Sequence, residues 1–392
     1  MDIRGFRLTE VPADFFDDPY RYYAALRAQH PVHELESGSF FLSRYEDVVA
    51  VYRAALASSD KKVEFKPKFG DSPLYEHHTT SLVFNDPPLH TRVRGLIMGA
   101  LNQRAIARME QGVLSLVEQL IDHLPEKADF IEDFAARIPV EVIGNLLDIP
   151  KDERGPLRGW STAILSGLEP RPSAEMLERG NRAVSDFKDY LARLVEERRR
   201  TPGDPDTDVL TRLVQDKTVS ALELYHNCIF LLNAGHETTT NLIGNGLWLL
   251  LGNPGELERL RAELSLIPSA IEEMLRYEGP IQLNNRRLTA PMQLSGKELA
   301  EGSFITLGIG AANRDPNQFS NAEAFDVARK PNRHVAFGHG EHACAGMNVA
   351  RMEARIAFSR LLQRCSRLEL CGTPERDRRI RFRGFRKLPV CV

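Results

Sequence analysis

The sequence predicts a mainly α (α+β) fold, a helical body flanked by small sheets, and three observations predict it. Apolar residues recur at helical spacing from about residue 90 to 278: Leu114, Val117, Leu120 and Ile121 make one stripe, and Leu191, Leu194 and Val195 belong to another. Strand-like runs are short and lie towards the chain ends, at 39–42, 293–294, 304–307 and 389–392. One helical pattern runs from about Ala221 to Leu251. At ~1.5 Å per residue it spans roughly 45 Å, enough to cross a whole domain.

Composition sets the outer limits. The 392 residues, 42% of them hydrophobic, are ample for a large core. No repeat, low-complexity tract or Gly/Ser linker divides the chain, so 1–392 reads as a single domain. Pro202-Gly203-Asp204-Pro205-Asp206 is a surface turn. A net charge of −3 argues against nucleic-acid binding and against strong attraction to anionic membranes. Cys228, Cys344, Cys365, Cys371 and Cys391 are odd in number and scattered, which fits a reducing compartment better than a disulfide framework. The first seven residues contain no apolar signal core. The apolar stretch Leu242–Leu251 is broken by Gly244, Asn245 and Gly246, and falls short of the ~20 residues a bilayer needs. The expectation is a soluble, cytoplasmic protein.

Taken in chain order, the first element of interest is Asp86-Pro87-Pro88-Leu89-His90-Thr91-Arg92-Val93-Arg94. His90 and Arg94, four apart, share one helical face. The long helix opens with Ser220 and Glu223 as a capping box. Its middle, Ala234-Gly235-His236-Glu237-Thr238-Thr239-Thr240, is a poor helix interior, and Gly235 alone costs ~1 kcal/mol relative to Ala. Such a violation is expected at a functional site. Gly235 removes a side chain where a planar cofactor or O2 approaches. Thr238 can turn its hydroxyl onto a carbonyl one turn back and admit water, and Glu237 beside it can relay protons. Ser269-Ala270-Ile271-Glu272 is a second capping box, opening a helix on which Glu273 and Arg276 meet.

The most telling stretch is Phe337-Gly338-His339-Gly340-Glu341-His342-Ala343-Cys344-Ala345-Gly346. Gly338, Gly340 and Gly346 let the backbone turn tightly and come close to a flat ligand. A helix over roughly 346–364 then aims its positive end and free N–H groups at the sulfur. That setting predicts a lowered thiol pKa and a metal-binding thiolate. His334, His339 and His342 do not stand at zinc spacing. A single thiolate without partner ligands fits haem iron best.

The pattern Phe-x-x-Gly-x-x-x-Cys-x-Gly resembles the haem-ligand loop of the cytochrome P-450 monooxygenases of soluble bacterial type, with Phe337, Gly340, Cys344 and Gly346 in register. Ala234, Gly235, Glu237 and Thr238 resemble that family's oxygen-activating Ala-Gly-x-acid-Thr. Glu273 and Arg276 resemble its Glu-x-x-Arg pair, which locks a meander seen here in Asn313–Pro316 and Phe325–Arg329. Buried haem propionates need charged or hydrogen-bonding partners. His90 and Arg94 resemble the family's His-x-x-x-Arg, and Arg286, with Arg287 as its rival, matches a strand arginine. His334 and His342 complete the set. The resemblance runs from Asp17–Tyr20 to Arg383–Val390, nearly the whole chain.

The resemblance implies heme b (iron protoporphyrin IX) ligated by Cys344 and clamped between the long helix and the Cys-loop helix, with small antiparallel sheets beside them. It implies insertion of one oxygen atom from O2 into a small-to-medium apolar or aromatic substrate, with Glu237 and Thr238 delivering protons. No flavin- or iron–sulfur-binding segment remains, so electrons come from a ferredoxin and an NAD(P)H-dependent ferredoxin reductase. Arg92, Arg104, Arg108 and Arg351 are candidates for docking an acidic partner, and a monomer is the family default. By resemblance the substrate meets residues 61–85, 161–185, the long helix, Pro280–Leu283 and the turn near Phe385. Lys61, Lys62, Lys66 and Lys68 read either as a site for an anionic substrate or as a solvated run. Phe65, Phe69, Leu82, Phe84, Ile164 and Leu165 read equally as apolar contacts or as core. Two rival readings remain: a peroxygenase using H2O2 directly, and a non-catalytic haem sensor. The Glu237–Thr238 pair counts against both.

Overall fold

The computed structural model describes residues 1–36 and 38–392. Nine helices position the site: α1 Lys62–Phe69, α2 Leu89–Ala100, α3 Gln103–Asp122, α4 Arg137–Leu146, α5 Leu157–Ser166, α6 Ala174–Arg200, α7 Ala221–Gly252, α8 Ile267–Tyr277 and α9 Met347–Arg364. Among the described residues no helix is long and apolar enough to cross a membrane.

The 32-residue α7 is the axis of the fold and is buried along most of its length. Its predicted capping box is present: Glu223 N–H donates to Ser220 Oγ at 3.2 Å, and Ser220 N–H donates to Glu223 Oε2 at 2.8 Å. Helices α4, α5, α6, α8 and α9 all pack against it. A helix so enclosed has no need of a polar face, and the core follows from that. Leu224, Ile229, Leu232, Leu242, Ile243, Leu247 and Leu250 join α3, α6 and α9 residues in one large apolar cluster. The second capping box is a correction. Helix α8 begins two residues before Ser269, with Pro268 in its first turn, and Ser269 Oγ donates to Leu266 O at 2.9 Å instead of capping.

A five-stranded sheet stands to one side: β1 Val32–Glu36, β2 Ser39–Leu42, β3 Ala57–Ser58, β4 Leu283–Leu288 and β5 Phe304–Gly308, in spatial order β1-β2-β5-β4-β3. Among the described residues every strand pair is antiparallel except β2 with β5, where Ser39 faces Phe304 and Leu42 faces Leu307 in parallel. Three smaller antiparallel sheets complete the set, one pairing Glu375–Arg376 with Phe385–Lys387. The segment between those two strands returns to α7. There Asn245 Nδ2 donates to Arg383 O at 2.9 Å and to Glu278 O at 3.0 Å. This tether carries residues 377–384 against the middle of the long helix.

The Glu273–Arg276 pair is wholly buried and bidentate, at 2.7 and 2.8 Å. Arg276 donates onward to the carbonyls of Asn313, Ala322 and Ala324, while Glu273 accepts from Arg329, Asn332 and the Asp326 N–H. Glu273 thus serves two guanidiniums, and the spare donors of both go to backbone carbonyls, which pins the segment ahead of the cysteine loop.

Candidate haem-thiolate site

The loop before α9 needs its glycines. Gly338 and Gly340 have φ of 68° and 73°, a region that costs other residues strain. A Cβ on Gly340 would also stand 2.7 Å from the Tyr52 carbonyl oxygen. The turn closes when Cys344 N–H donates to Phe337 O at 2.8 Å. Helix α9 starts three residues later, and the Gly346 N–H points at the sulfur. The expected lowering of the thiol pKa is not what this environment gives. Burial pushes the Cys344 thiol up, against the Gly346 N–H and the positive charges of Arg94 and Arg351. Burial wins because the helix end offers the sulfur a single N–H. A metal cation on the sulfur reverses that balance, since a coordinated thiol is deprotonated outright.

Four basic side chains gather beside this cysteine. The His90 and His342 rings meet tilted, with centroids 3.9 Å apart, and Arg94 and Arg286 both act electrostatically on His342. Burial and those cations depress His342 to about 3, and His90 is lowered too, mainly by burial. Both His90 nitrogens and His342 Nε2 are buried without partners. Arg286 lies over the Tyr52 ring and donates only to Asn284 Oδ1 at 3.3 Å and Asn285 O at 2.8 Å. Glu341 and Asp86 act on this cluster from a distance, yet among the described residues no carboxylate hydrogen-bonds Arg286, His90 or His342, which leaves these basic groups open to an anionic ligand. In β4, Arg286 is buried beside this cluster, whereas its neighbour Arg287 points to the other face of the strand and is half-exposed. His334 is a correction. Its Nε2 pairs with Glu272 Oε2 at 3.0 Å and its Nδ1 accepts from Ala336 N–H, so it belongs to the Glu272–Arg351 network.

On α7, Ala234 is exposed although its helix is wrapped on nearly all sides, so its free surface faces an internal gap. Thr238, one turn on, is partly exposed and donates from Oγ1 to Ala234 O at 2.8 Å. Gly235 plays another part than expected. A Cβ there would collide with Ile143 Cδ1 of α4, so the glycine serves helix packing and Ala234 borders the gap. Glu237 is buried and its Oε1 accepts from Arg379 Nη1, while Oε2 has no partner. Burial pushes its carboxyl up to about 7, opposed by Arg379 and reinforced by Asp377 and Glu169. Arg379 also reaches Glu169 Oε1 at 3.3 Å and Asp377 Oδ2 at 3.4 Å.

Arg379, Glu169 and Tyr52 escaped the sequence reading. A usable signal existed for the first: Arg379, Arg381 and Arg383 alternate in an extended segment, and alternation puts them on one face. The proximal arginines divide. Arg351 and Arg355 border a groove of about 240 Å³ with Ile106, Glu110 and Glu272. Arg104 and Arg108 are exposed on α3, whereas Arg92 is tied to Glu223 and to Thr218 O and takes no place in that groove. Of the four lysines, Lys62 and Lys66 are exposed, but Lys61 is buried and Lys68 turns inward.

These residues fit a haem: a cysteine in a glycine cradle, orphaned basic groups beside it, and an alanine-lined gap on the long helix. The comparisons agree. The family described as Cytochrome P450 matches residues 170–385. A biotin biosynthesis cytochrome P450 of Bacillus subtilis (strain 168) is 33% identical over 96% of this chain and 97% of its own. The cytochrome P450 monooxygenase PikC of Streptomyces venezuelae is 35% identical, over 92% of this chain and 87% of its own. A crystal structure of P450BioI with an acyl carrier protein ligated to hexadec-9Z-enoic acid superposes with a TM-score of 0.92 at 32% identity. It covers 97% of this chain and 100% of that one. From the glycine-cradled sulfur to the full-length likeness, this chain belongs to the cytochrome P450 family, haem-thiolate oxidoreductases that bind heme b.

Proposed function

We propose that the whole chain acts as one cytoplasmic monooxygenase domain. It places one oxygen atom of O2 into a small-to-medium apolar or aromatic molecule, with electrons from a ferredoxin and its NAD(P)H-dependent reductase. The observation that carries this reading is the sulfur of Cys344 beside Arg94, Arg286, His90 and His342, with both His90 ring nitrogens and His342 Nε2 buried without a hydrogen-bond partner.

Heme b, when bound, supplies the iron that activates O2, and a thiolate ligand favours O–O cleavage. The rest is the work of side chains. Cys344 contributes the sulfur, which meets the Gly346 N–H, while the Cys344 backbone N–H donates to Phe337 O and fixes the turn. Arg94 and Arg286 would neutralise the propionates, with His90 and His342 as hydrogen-bonding partners. Ala234 keeps the long helix low over the gap, where a larger side chain would fill it. Thr238, anchored to Ala234 O, presents a hydroxyl that can accept one proton and pass on another. Glu237, with a carboxyl near 7, exchanges protons at neutral pH and stands next in sequence to Thr238. One oxygen atom leaves as water, so the two residues have two protons to deliver per turnover.

The test uses a compound found by its low-to-high-spin Soret shift, turned over under 18O2 with ferredoxin and reductase. The reading expects one 18O in the product and NAD(P)H consumed in step with it. Product formed with H2O2 alone and never with the reductase system would make the protein a peroxygenase. A spin shift with no oxidation by either route would make it a sensor.

A further inference from the structure

Two inward-turned cations, Lys68 and Arg381, form no ion pair among the described residues, although Glu64 and Glu169 act on both from a distance. Lys68, near the end of α1, donates from Nζ to the Glu169 backbone oxygen at 2.6 Å and lies 5.2 Å from the Phe69 ring centroid. Arg381 donates from Nε to Leu168 O at 3.1 Å, from Nη1 to Leu283 O at 3.3 Å, and from Nη2 to Asn285 Oδ1. All four acceptors are neutral, and two N–H groups of the guanidinium remain free. Protein surrounds both side chains, yet each keeps accessible surface, so that surface faces an internal cavity.

The nearby carboxylates are committed elsewhere. Glu169 accepts from Arg379 Nε, from Ile380 N–H at 2.8 Å and from Arg381 N–H at 3.2 Å. Glu64 pairs with buried Lys61 at 2.7 Å. Burial, and then the charge of Arg381, lower Lys68 to about 8, as two like charges close together require.

The position of this pair ties it to the reaction site. Asn285, which accepts from Arg381, is the chain neighbour of Arg286 in the cation cluster. Arg379, two residues before Arg381, bonds the Glu237 carboxylate next to Thr238. An apolar wall adjoins Lys68, where Phe65 and Phe84 meet the neutral ring of His78 edge-on and Phe69 meets it tilted. Unneutralised cations beside an aromatic wall specify an acid with a greasy body.

We propose that Lys68 and Arg381 bind a carboxylate of the substrate, so that the molecule oxidised has an apolar body and an acidic end. This rests on the monooxygenase reading above and specifies its substrate class.

The test measures binding to the haem-loaded protein by equilibrium dialysis, using dodecanoate against dodecan-1-ol and 4-phenylbutanoate against 4-phenylbutan-1-ol. At pH 7 at least one acid should bind about tenfold or more tightly than its alcohol, the value of a charge-assisted hydrogen bond. The preference should vanish in the Lys68→Met, Arg381→Gln double variant and persist in Lys68→Arg. Lys68 is faced by Glu64 on its own helix, by Glu169 after α5, by Arg381 and by neutral His78. Its proton is therefore lost as pH rises through about 8, and the acid preference should fall there in wild type but not in Lys68→Arg. Equal affinity for acid and alcohol in both pairs, no binding of either acid, or a preference that survives the double variant would overturn the proposal. If the double variant does not fold, the wild-type pH series against Lys68→Arg decides. The carbon monoxide band of the same samples separates the failures: equal affinities with a thiolate band intact overturn the cation pair alone.

Discussion

Replacing Arg379 with Gln removes the cation that holds Glu237. Its Nη1 donates to Glu237 Oε1, and the same guanidinium reaches Glu169 at 3.3 Å and Asp377 at 3.4 Å. Burial has already raised the Glu237 carboxyl to about 7 against this cation's pull. At an effective dielectric of about 20, two unit charges ~4 Å apart attract by about 4 kcal/mol, and one pKa unit is worth about 1.4 kcal/mol. Without the cation, Glu169 and Asp377 act on Glu237 as like charges and push the same way. Glutamine keeps one hydrogen bond, so only part of the attraction is lost, and the midpoint should still rise by at least about one unit. The assay is an infrared titration of the carboxyl band that disappears in Glu237→Gln. Wild type should titrate near 7, and Arg379→Gln clearly above that. The alkaline limb of product formed per NAD(P)H should move with it. A midpoint that stays put, or moves to lower pH, would refute the electrostatic reasoning.

Three further outcomes follow from the same geometry. Because the folded-state value of Glu237 lies above the ordinary 4.5, the stability linked to its proton is fully present below about 4.5 and lost as pH rises through about 7. Glu237→Gln should therefore gain on wild type in thermal unfolding between pH 5 and 8, by about 3 kcal/mol at the upper end; a constant difference across that range would contradict this. Thr238→Ala should let NAD(P)H consumption continue while product per NAD(P)H falls about tenfold or more; unchanged coupling would remove Thr238 from proton delivery. Arg286→Leu should release haem to excess apomyoglobin about tenfold or more faster, the worth of one charge-assisted hydrogen bond; an unchanged rate would place the propionate elsewhere.

The cysteine loop was legible because its requirements are local. A positive φ at Gly338 and Gly340, a turn closed within eight residues and a helix start three residues later are all written in adjacent letters. The capping box of α7 was readable for the same reason. What escaped depends on packing between distant segments. Gly235 has the right identity for a ligand-facing position, but the rotation of α7 turns it to Ile143 and brings Ala234 to the gap. His334 lies three residues before Phe337 as a propionate partner would, yet Glu272, 62 residues upstream, claims its ring. The partner of Glu237 lies 142 residues away, in a segment whose alternating arginines do not by themselves say which carboxylate they meet. The thiol of Cys344 shows a third kind of miss, where helix-end polarity was weighed without burial. The same neglect of enclosure left Lys61 and Lys68 undecided between a solvated run and an anion site.

The central claim is a bond from the Cys344 sulfur to haem iron, and the absorption of the reduced protein under carbon monoxide tests it most directly. Haem-loaded wild type should give the strongly red-shifted Soret band of an anionic sulfur trans to carbon monoxide, and Cys344→His should lose that band while retaining haem. A fully haem-loaded, folded wild type without the shifted band, or a Cys344→His variant that keeps it, would contradict the account.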